Sequence, residues 1–551
     1  MRGSMPKRPP RVKHDFSFVF KVGKGFRNRP FSAIIARMTI LVAHNRYRVR
    51  GGEDSVFESE CRMLEEAGHR VIKYEKSNDS ISVDRFERSN VASSQGCPEP
   101  ANLRTCEPAN ACGAAGKLRA VGAKLALALR TIWNPRTVRE VREIIRRERP
   151  DVVHCHNTFP LISPSIYYAA AREGVPVVQT LHNYRLACLN GYLFCDGRVC
   201  ERCLGRSPLR GVCRRCYRAS LSQSLTLAAM LLVHRLLGTW RRKVTRYVAL
   251  TDFAKSKFVA AGLPARKISV KPNAFVAGDE GVGLPAPVER PGASAPDRQR
   301  RVVYVGRLSS EKGVDVLLRA WALLLQLPPS ERGVARSAGG STPCAADPAP
   351  SAVLPRTEYS PSLASLDSPL SEGADQNARP PQAPGGPGAA RPRPGPAPTC
   401  VIIGDGPERA ALEGLANELG ISSSVSFLGA IPREEALREL AAAALLVFPS
   451  LWYEQFAITP LEAMALGVPV LVSDVARSGT IIEDGVTGRL FSSGDPAALA
   501  AALRDLLSDP DALRRMGAAA RAAFEASDCR PDRNLARLLS VYASARSAHG
   551  A

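Results

Sequence analysis

The chain has 551 residues, 45% of them hydrophobic, and a formal charge of +23, which is enough for two domains with full cores and too much for one. No run of 18 apolar residues occurs, the nearest being Leu225 to Leu237 with His234 and Arg235 inside it, so no transmembrane helix is expected. The basic start lacks a signal-peptide core, because Phe16 to Phe20 is ended by Lys21 and Lys24; a cytoplasmic protein is expected, its 14 cysteines reduced or metal-bound.

Residues 1–37 hold ten Lys and Arg against Asp15 and read as a disordered basic extension. Met38 to Ala43 is predicted to open the first strand, followed by a loop to Gly51 and Gly52 and an amphipathic helix to about Gly68. Further strands are expected at Arg70 to Tyr74, Asp151 to Cys155, Val175 to Thr180, Tyr247 to Leu250 and Ile268 to Lys271, with helical patterns between most of them. Asn90 to Gly116 breaks the pattern, and Arg198 to Arg218 and Arg241 to Arg246 are rich in cations. Such a basic face suits nucleic acid or an anionic membrane, or is simply solvated.

Alternation of this kind implies a parallel, doubly wound sheet for a first domain over 38–276. Residues 277–299, rich in Gly, Pro and Ala, read as a linker. A second series of the same class follows in a domain over 300–551: Arg301 to Val305, Cys400 to Ile403, Val425 to Phe427, Leu445 to Phe448, Val468 to Val472 and Gly488 to Phe491. Within it, 328–398 is dominated by Pro, Ala, Gly and Ser, buries too little apolar area to order, and reads as a disordered insert. The terminal helical pattern, Asp532 to Ala545, is placed to pack back onto the first domain.

Four segments carry chemistry. After the first strand of the second domain, Gly306-Arg307 to Lys312-Gly313 sets two cations around a strand-to-helix turn, where Arg307 can fork onto phosphate oxygens and Lys312 can add a mobile charge. Gly404-Asp405-Gly406-Pro407 ends the next strand with a tight turn open to a close backbone approach. Glu454 falls in a loop and Glu462 in the next helix, whose start is read from Thr459 as N-cap, Pro460 as first residue and Glu462 as capping-box acid. A helix N-terminus suits phosphate, and two carboxylates suit sugar hydroxyls. In the first domain, His156 and His182 each follow a strand and point toward the cleft if the sheet is parallel.

Cysteines cluster at Cys188, Cys195, Cys200, Cys203, Cys213 and Cys216. Two Cys-x2-Cys pairs nine residues apart fit a tetrahedral zinc, with Cys188 able to replace Cys213, so four of Cys188, Cys200, Cys203, Cys213 and Cys216 are candidate ligands of a structural zinc. Free thiols or disulfides are the alternative.

Together the loop at Gly51 and Gly52, the Gly306 to Gly313 segment, Gly404 to Pro407 and the Glu454/Glu462 pair resemble the retaining glycosyltransferases of family 4, over nearly the whole chain from Met38 except the inserts. That resemblance implies the GT-B fold, two Rossmann-like domains facing across a cleft. It implies that Arg307 and Lys312 hold a donor diphosphate, Glu462 the ribose hydroxyls and Glu454 the transferred sugar. The loop at Gly51 and Gly52 comes near the phosphates and acceptor, and His182 approaches the sugar. It implies further a nucleotide-sugar donor, a glycan or lipid-linked acceptor, transfer without a catalytic metal, and a role in cell-surface polysaccharide or glycolipid synthesis, with peripheral contact at the inner membrane face. Gln455 and Ala457 depart from the glycines common there, which narrows the sugar pocket. Two rival readings are a GT-B phosphorylase, whose cofactor lysine is not identifiable, and a zinc-ribbon nucleic-acid-binding protein; nucleic acid is not the expected partner.

Overall fold

Runs of Val, Ile and Leu give two series of short strands, and in the computed structural model, which describes residues 37–46, 51–77, 114–276, 300–326 and 398–550, each series forms its own six-stranded sheet. The basic extension up to residue 36, most of the Asn90 to Gly116 break, the linker 277–299 and residues 328–397 of the insert lie outside the described residues. The first series is β1 (Thr39–Arg46), β2 (Arg70–Ser77), β3 (Val152–Asn157) and β4 (Val177–Leu181); after a two-stranded ribbon, β5 (Phe194–Cys195) and β6 (Arg198–Val199), it continues with β7 (Arg246–Ala249) and β8 (Ile268–Val270). The second is β9 (Arg301–Val305), β10 (Thr399–Ile403), β11 (Val425–Gly429), β12 (Leu445–Phe448), β13 (Val470–Ser473) and β14 (Gly488–Phe491). Every expected strand is present.

Pairing in both large sheets is parallel, with orders β2-β1-β3-β4-β7-β8 and β11-β10-β9-β12-β13-β14. In each, the order reverses beside the first strand of the series, between β1 and β3 and between β9 and β12. A parallel sheet is covered on both faces, which explains why its strands are continuously apolar. Leu41 and Val153 face one core cluster, while Ile40, Val42 and Val152 face another.

That second cluster is completed by the end of the chain. The terminal helix Pro531–Gly550 crosses back to the first domain and buries Leu538, Leu539, Val541 and Tyr542 against β1, β3 and the helix Gly52–Glu66. At about 1.5–3 kcal/mol per buried large side chain, this docking ties the two domains together as strongly as a small core. Phe275 adds a second tie, packing on Phe524 and donating its amide to the Cys529 carbonyl.

Candidate functional site

In sheets of this topology, ligands bind beyond the carboxyl ends of the strands at the reversal of strand order. The segments singled out above sit there. Gly306 and Arg307 follow β9, Ser450 to Glu454 follow β12, Gly51 to Asp54 begin the helix Gly52–Glu66 that comes after β1 of the facing domain, and His182 follows β4. Gly52 marks the closeness of the two domains, since a side chain there would meet Ile458 Cδ1 at 3.5 Å.

Glu454 is buried, and its Oε1 accepts from Lys312 Nζ at 2.6 Å, Ser450 Oγ at 2.8 Å and Trp452 Nε1 at 2.9 Å. Lys312 Nζ also lies 5.4 Å from the centres of both the Phe448 and Trp452 rings. The two residues that the resemblance assigns to sugar and diphosphate are thus bonded to each other. The Arg307 side chain is exposed and makes no hydrogen bond or ion pair among the described residues, while its carbonyl accepts from the Tyr304 hydroxyl at 2.9 Å.

The glycines after β10 are required by the backbone of the neighbouring loop. A side chain at Gly404, whose φ is 132°, would lie 1.9 Å from the Gly306 carbonyl, and one at Gly406 would lie 2.1 Å from the Leu308 carbonyl. Gly306 N–H donates to Ile403 O at 2.9 Å and Leu308 N–H to Asp405 O at 3.0 Å. Gly404 and Gly406 therefore lock two strand-end loops back to back, and this fixes the direction of the Gly306-Arg307 backbone.

Around Glu462 the expected cap is corrected. The helix runs Ile458–Ala465 with Ala457 at its N-cap and no side-chain cap, so Thr459 and Pro460 lie within the first turn and Glu462 lies beyond it. The entry is set instead by the backbone, through Ala457 N–H to Gly479 O at 2.8 Å. Freed from capping, the Glu462 carboxylate accepts from Arg433 Nη2 at 2.9 Å and Nε at 3.2 Å. Burial raises its pKa against the opposing pull of Arg433. The pair lines a cavity of about 180 Å³ with Ser55 and Ser59 from the first domain and Val305 and Ile458 from the second. Gln455 is buried, and both atoms of its amide lack a hydrogen-bond partner.

On the facing side, Gly51 starts the helix Gly52–Glu66, its N–H donating to Asp54 Oδ2 at 2.8 Å, while Asp54 Oδ1 meets His44 Nε2 at 2.9 Å. Glu53 accepts from Asn183 Nδ2 at 2.7 Å, joining this helix start to the His182 loop. His182 Nε2 lies 2.9 Å from His156 Nδ1. Burial lowers the His182 pKa to about 4, outweighing Glu53 and Glu60, so the ring is neutral at neutral pH.

Behind His182 lies a fully buried polar network. Glu60 Oε2 pairs with Lys271 Nζ at 3.1 Å, and Lys271 donates to Asn534 Oδ1 at 2.9 Å on the terminal helix. Glu60 Oε1 stands 3.4 Å from His154 Nδ1 and 3.6 Å from His156 Nε2. Glu60, His154 and His156 form the only group of three potential metal ligands within 4.8 Å of one another among the described residues. Lys271 already neutralises that carboxylate, and His154 spends both nitrogens on Tyr542 and Thr180. The group is an ion-pair network centred on Lys271, with Glu60 Oε1 and His156 Nε2 facing each other at 3.6 Å without a hydrogen bond.

The cysteine-rich segment forms a lobe at the cleft's edge. Its ribbon turns through Asp196 and Gly197 at φ 55° and 72°, the left-handed pair that a tight hairpin needs. Cys195 hydrogen-bonds Cys216, whose thiol is pushed up to about 12 by burial and by Cys195, Cys188 and Cys203, while Cys213 is exposed. No three of the sulfurs of Cys188, Cys195, Cys200, Cys203, Cys213 and Cys216 lie within 4.8 Å of one another. From this lobe, Tyr192 reaches across to stack edge-on against Trp452, 4.8 Å between centres, and so touches the residue that holds Glu454.

Arg433, Ser450, Trp452, Glu53, Glu60 and Tyr192 were not legible as site residues. Arg433, Glu53, Glu60 and Tyr192 act through partners distant in sequence, and Ser450 and Trp452, though close to Glu454 in the chain, match no motif that announces their hydrogen bonds to it.

Two Rossmann-like domains facing across a cleft, with cations and carboxylates gathered at one strand-order reversal, define the GT-B class of fold. Residues 50–276 match the family model "Glycosyltransferase Family 4" and residues 390–523 match "Glycosyl transferases group 1". The chain belongs to this glycosyltransferase family. It is 42% identical to the D-inositol 3-phosphate glycosyltransferase of Nocardia farcinica over 123 residues, which cover 21% of this chain and 27% of that protein. The chain thus spans about a quarter of the length of the curated relatives it matches. Among solved structures, sucrose-phosphate synthase from Thermosynechococcus elongatus aligns at a TM-score of 0.52 and 17% identity, covering 92% of this chain and 98% of that one. HepE of Anabaena, solved with UDP-glucose, aligns at 0.50 and 16%, covering 92% and 100%. These likenesses concern the fold.

Proposed function

We propose that the chain is a retaining glycosyltransferase that moves a hexosyl group from a nucleoside diphosphate sugar to a hydroxyl acceptor, in the synthesis of a cell-surface polysaccharide or glycolipid at the cytoplasmic face of a membrane. The observation that carries this reading is the Lys312–Glu454 contact of 2.6 Å at the strand-order reversal, facing the His182 loop. Lys312, Arg307 and the start of the helix Ile458–Ala465 stabilise the diphosphate as its bond to the anomeric carbon breaks, without a catalytic metal. Glu454 and neutral His182 hold the sugar hydroxyls while the acceptor oxygen bonds that carbon from the same face and gives its proton to the departing diphosphate oxygen. A neutral ring suits this position, because an imidazolium would repel the positive charge growing on the sugar. Glu462 takes the ribose hydroxyls, and the unpartnered Gln455 amide narrows donor choice.

Screening nucleotide sugars for thermal stabilisation, followed by NMR of the product anomer, tests the proposal. A donor that raises Tm should do so far less in Glu462→Ala, with a loss of donor affinity of roughly tenfold or more for one charge-assisted contact. Failure of every nucleotide sugar to stabilise or react would overturn the reading, and an inverted product would remove the retaining mechanism. Salt-dependent nucleic-acid binding without transfer would favour the rival binding protein.

A structural zinc on four of Cys188, Cys200, Cys203, Cys213 and Cys216 is proposed separately, supported by the Cys-x2-Cys spacing and by the nearness of the partly buried Cys188, Cys195, Cys200, Cys203 and Cys216 to one another. As the sulfurs stand, they do not form a tetrahedral cage, so the proposal includes their closing on the ion. Metal analysis of the purified protein should find about one zinc per chain. A metal-free chain of unchanged Tm would end the idea.

A further inference from the structure

The helices Ala114–Ile132 and Leu221–Leu236 pack side by side on the first domain and turn an apolar ridge outward. On the second, Leu221, Leu225, Val233 and Leu236 recur at spacings that keep them on one face, and all are exposed, Leu236 to 87%. On the first, Leu125 and Leu129 lie one turn apart and are 60% and 58% exposed. Scattered single apolar side chains on a surface are ordinary, whereas five leucines and a valine on two adjoining helices form a patch of the kind that marks a docking site.

The charge around the ridge says what docks there. Neither helix contains an acidic residue, while Lys124 and Arg130 are exposed on the first. The cysteine-rich lobe joined to the second helix presents Arg210, Arg215 and Arg218 to solvent. This lobe is fixed to the helix at both ends, by Tyr217 N–H to Ser224 Oγ at 3.0 Å and by Arg235 Nη1 to the Arg206 carbonyl at 2.9 Å. Leucines flanked by Arg and Lys, on two helices that carry no acidic residue, match the boundary between the acyl chains and the anionic head groups of a bilayer. No helix of the described residues is long and apolar enough to cross a membrane, so the contact would lie in the interface plane.

We propose that this two-helix ridge is a monotopic docking face for an anionic lipid surface. The lobe connects that face to the cleft, because it carries both the arginines and Tyr192, which touches Trp452 beside Glu454. Under the sugar-transfer reading, on which this last step rests, the lobe would bring a lipid-linked acceptor to the donor.

The test is co-flotation of the full chain with phosphatidylcholine vesicles with and without phosphatidylglycerol. Binding should require the anionic lipid and weaken with salt. The variant Leu221→Gln/Leu225→Gln/Leu236→Gln should lose at least about tenfold in vesicle affinity, as expected from withdrawing three buried side chains from lipid, with Tm unchanged. Arg215→Gln/Arg218→Gln should reduce binding to the anionic vesicles alone. The basic N-terminal residues remain in both variants, so a loss reports the ridge. Unchanged vesicle binding in the leucine variant overturns the proposal. So does a fall of several degrees in Tm, which would place the ridge inside the protein's own packing, or conversion of a dimer to a monomer with vesicle binding intact. Donor-induced stabilisation is read in the same samples, so failure of the membrane face and failure of the transferase reading are distinguishable.

Discussion

Replacing Lys312 by alanine should lower kcat/KM for sugar transfer by about 10²- to 10³-fold, the scale of removing one preorganised electrostatic group from a water-poor site. Lys312 Nζ is one of three donors on Glu454 Oε1 and the only charged one of the three. Its loss removes the cation assigned to the diphosphate and also takes the charged donor from Glu454 Oε1, which is 5% exposed and keeps the Ser450 hydroxyl and Trp452 indole there. Stability should therefore fall as well, by about 1–3 kcal/mol for a buried polar group left short of a partner. Lys312→Ala with Glu454→Gln should recover Tm without recovering activity. Recovery of both, or undiminished transfer in the single variant, would show that the pair is structural.

The largest effect on stability is expected at Glu60→Ala. Lys271 is 1% exposed and would keep its charge with Asn534 and a carbonyl for company, an uncompensated buried cation worth about 3–5 kcal/mol of destabilisation. For domains of this size that corresponds to a Tm lower by about 10 °C. Glu60→Leu combined with Lys271→Met should restore most of the loss, because an apolar pair of similar volume carries no desolvation cost. The same network gives a pH dependence. Burial holds His154 and His182 down to about 4, below the usual 6.5. Above about pH 6.5 these rings are neutral in both states and stability is full; between about 6.5 and 4 the unfolded chain binds protons that the native state refuses. Stability should fall by a few kcal/mol across that window, and a flat denaturation midpoint from pH 7 to 5 would contradict the assignment.

Much of this was legible from residue order because it depends on local pattern. Val302 to Val305 and Leu445 to Phe448 announce buried parallel strands by being continuously apolar, and Gly306-Arg307 and Lys312-Gly313 announce a phosphate-sized turn by charge and glycine at a strand's end. The cap assigned to Thr459 failed for the converse reason: Gly479, over twenty residues away, supplies the carbonyl that sets the helix start, and this released Glu462 to Arg433. Gly404 and Gly406 likewise looked like ligand contacts, while their need for a missing side chain comes from the backbone of Gly306 and Leu308.

The sequence by itself determined the two parallel-sheet domains, the family and the positions of Arg307, Lys312, Glu454, Glu462 and His182, since periodicity and short motifs are properties of neighbours in the chain. Only the tertiary structure decided that Lys312 and Glu454 hold one another, that Glu60 and Lys271 brace His182 from behind, that Tyr192 bridges the lobe to Trp452, and that the two helices bearing exposed leucines adjoin. Those are distances between residues far apart in the chain, set by how the strands reverse order and how the terminal helix crosses between domains, and no local spacing encodes them.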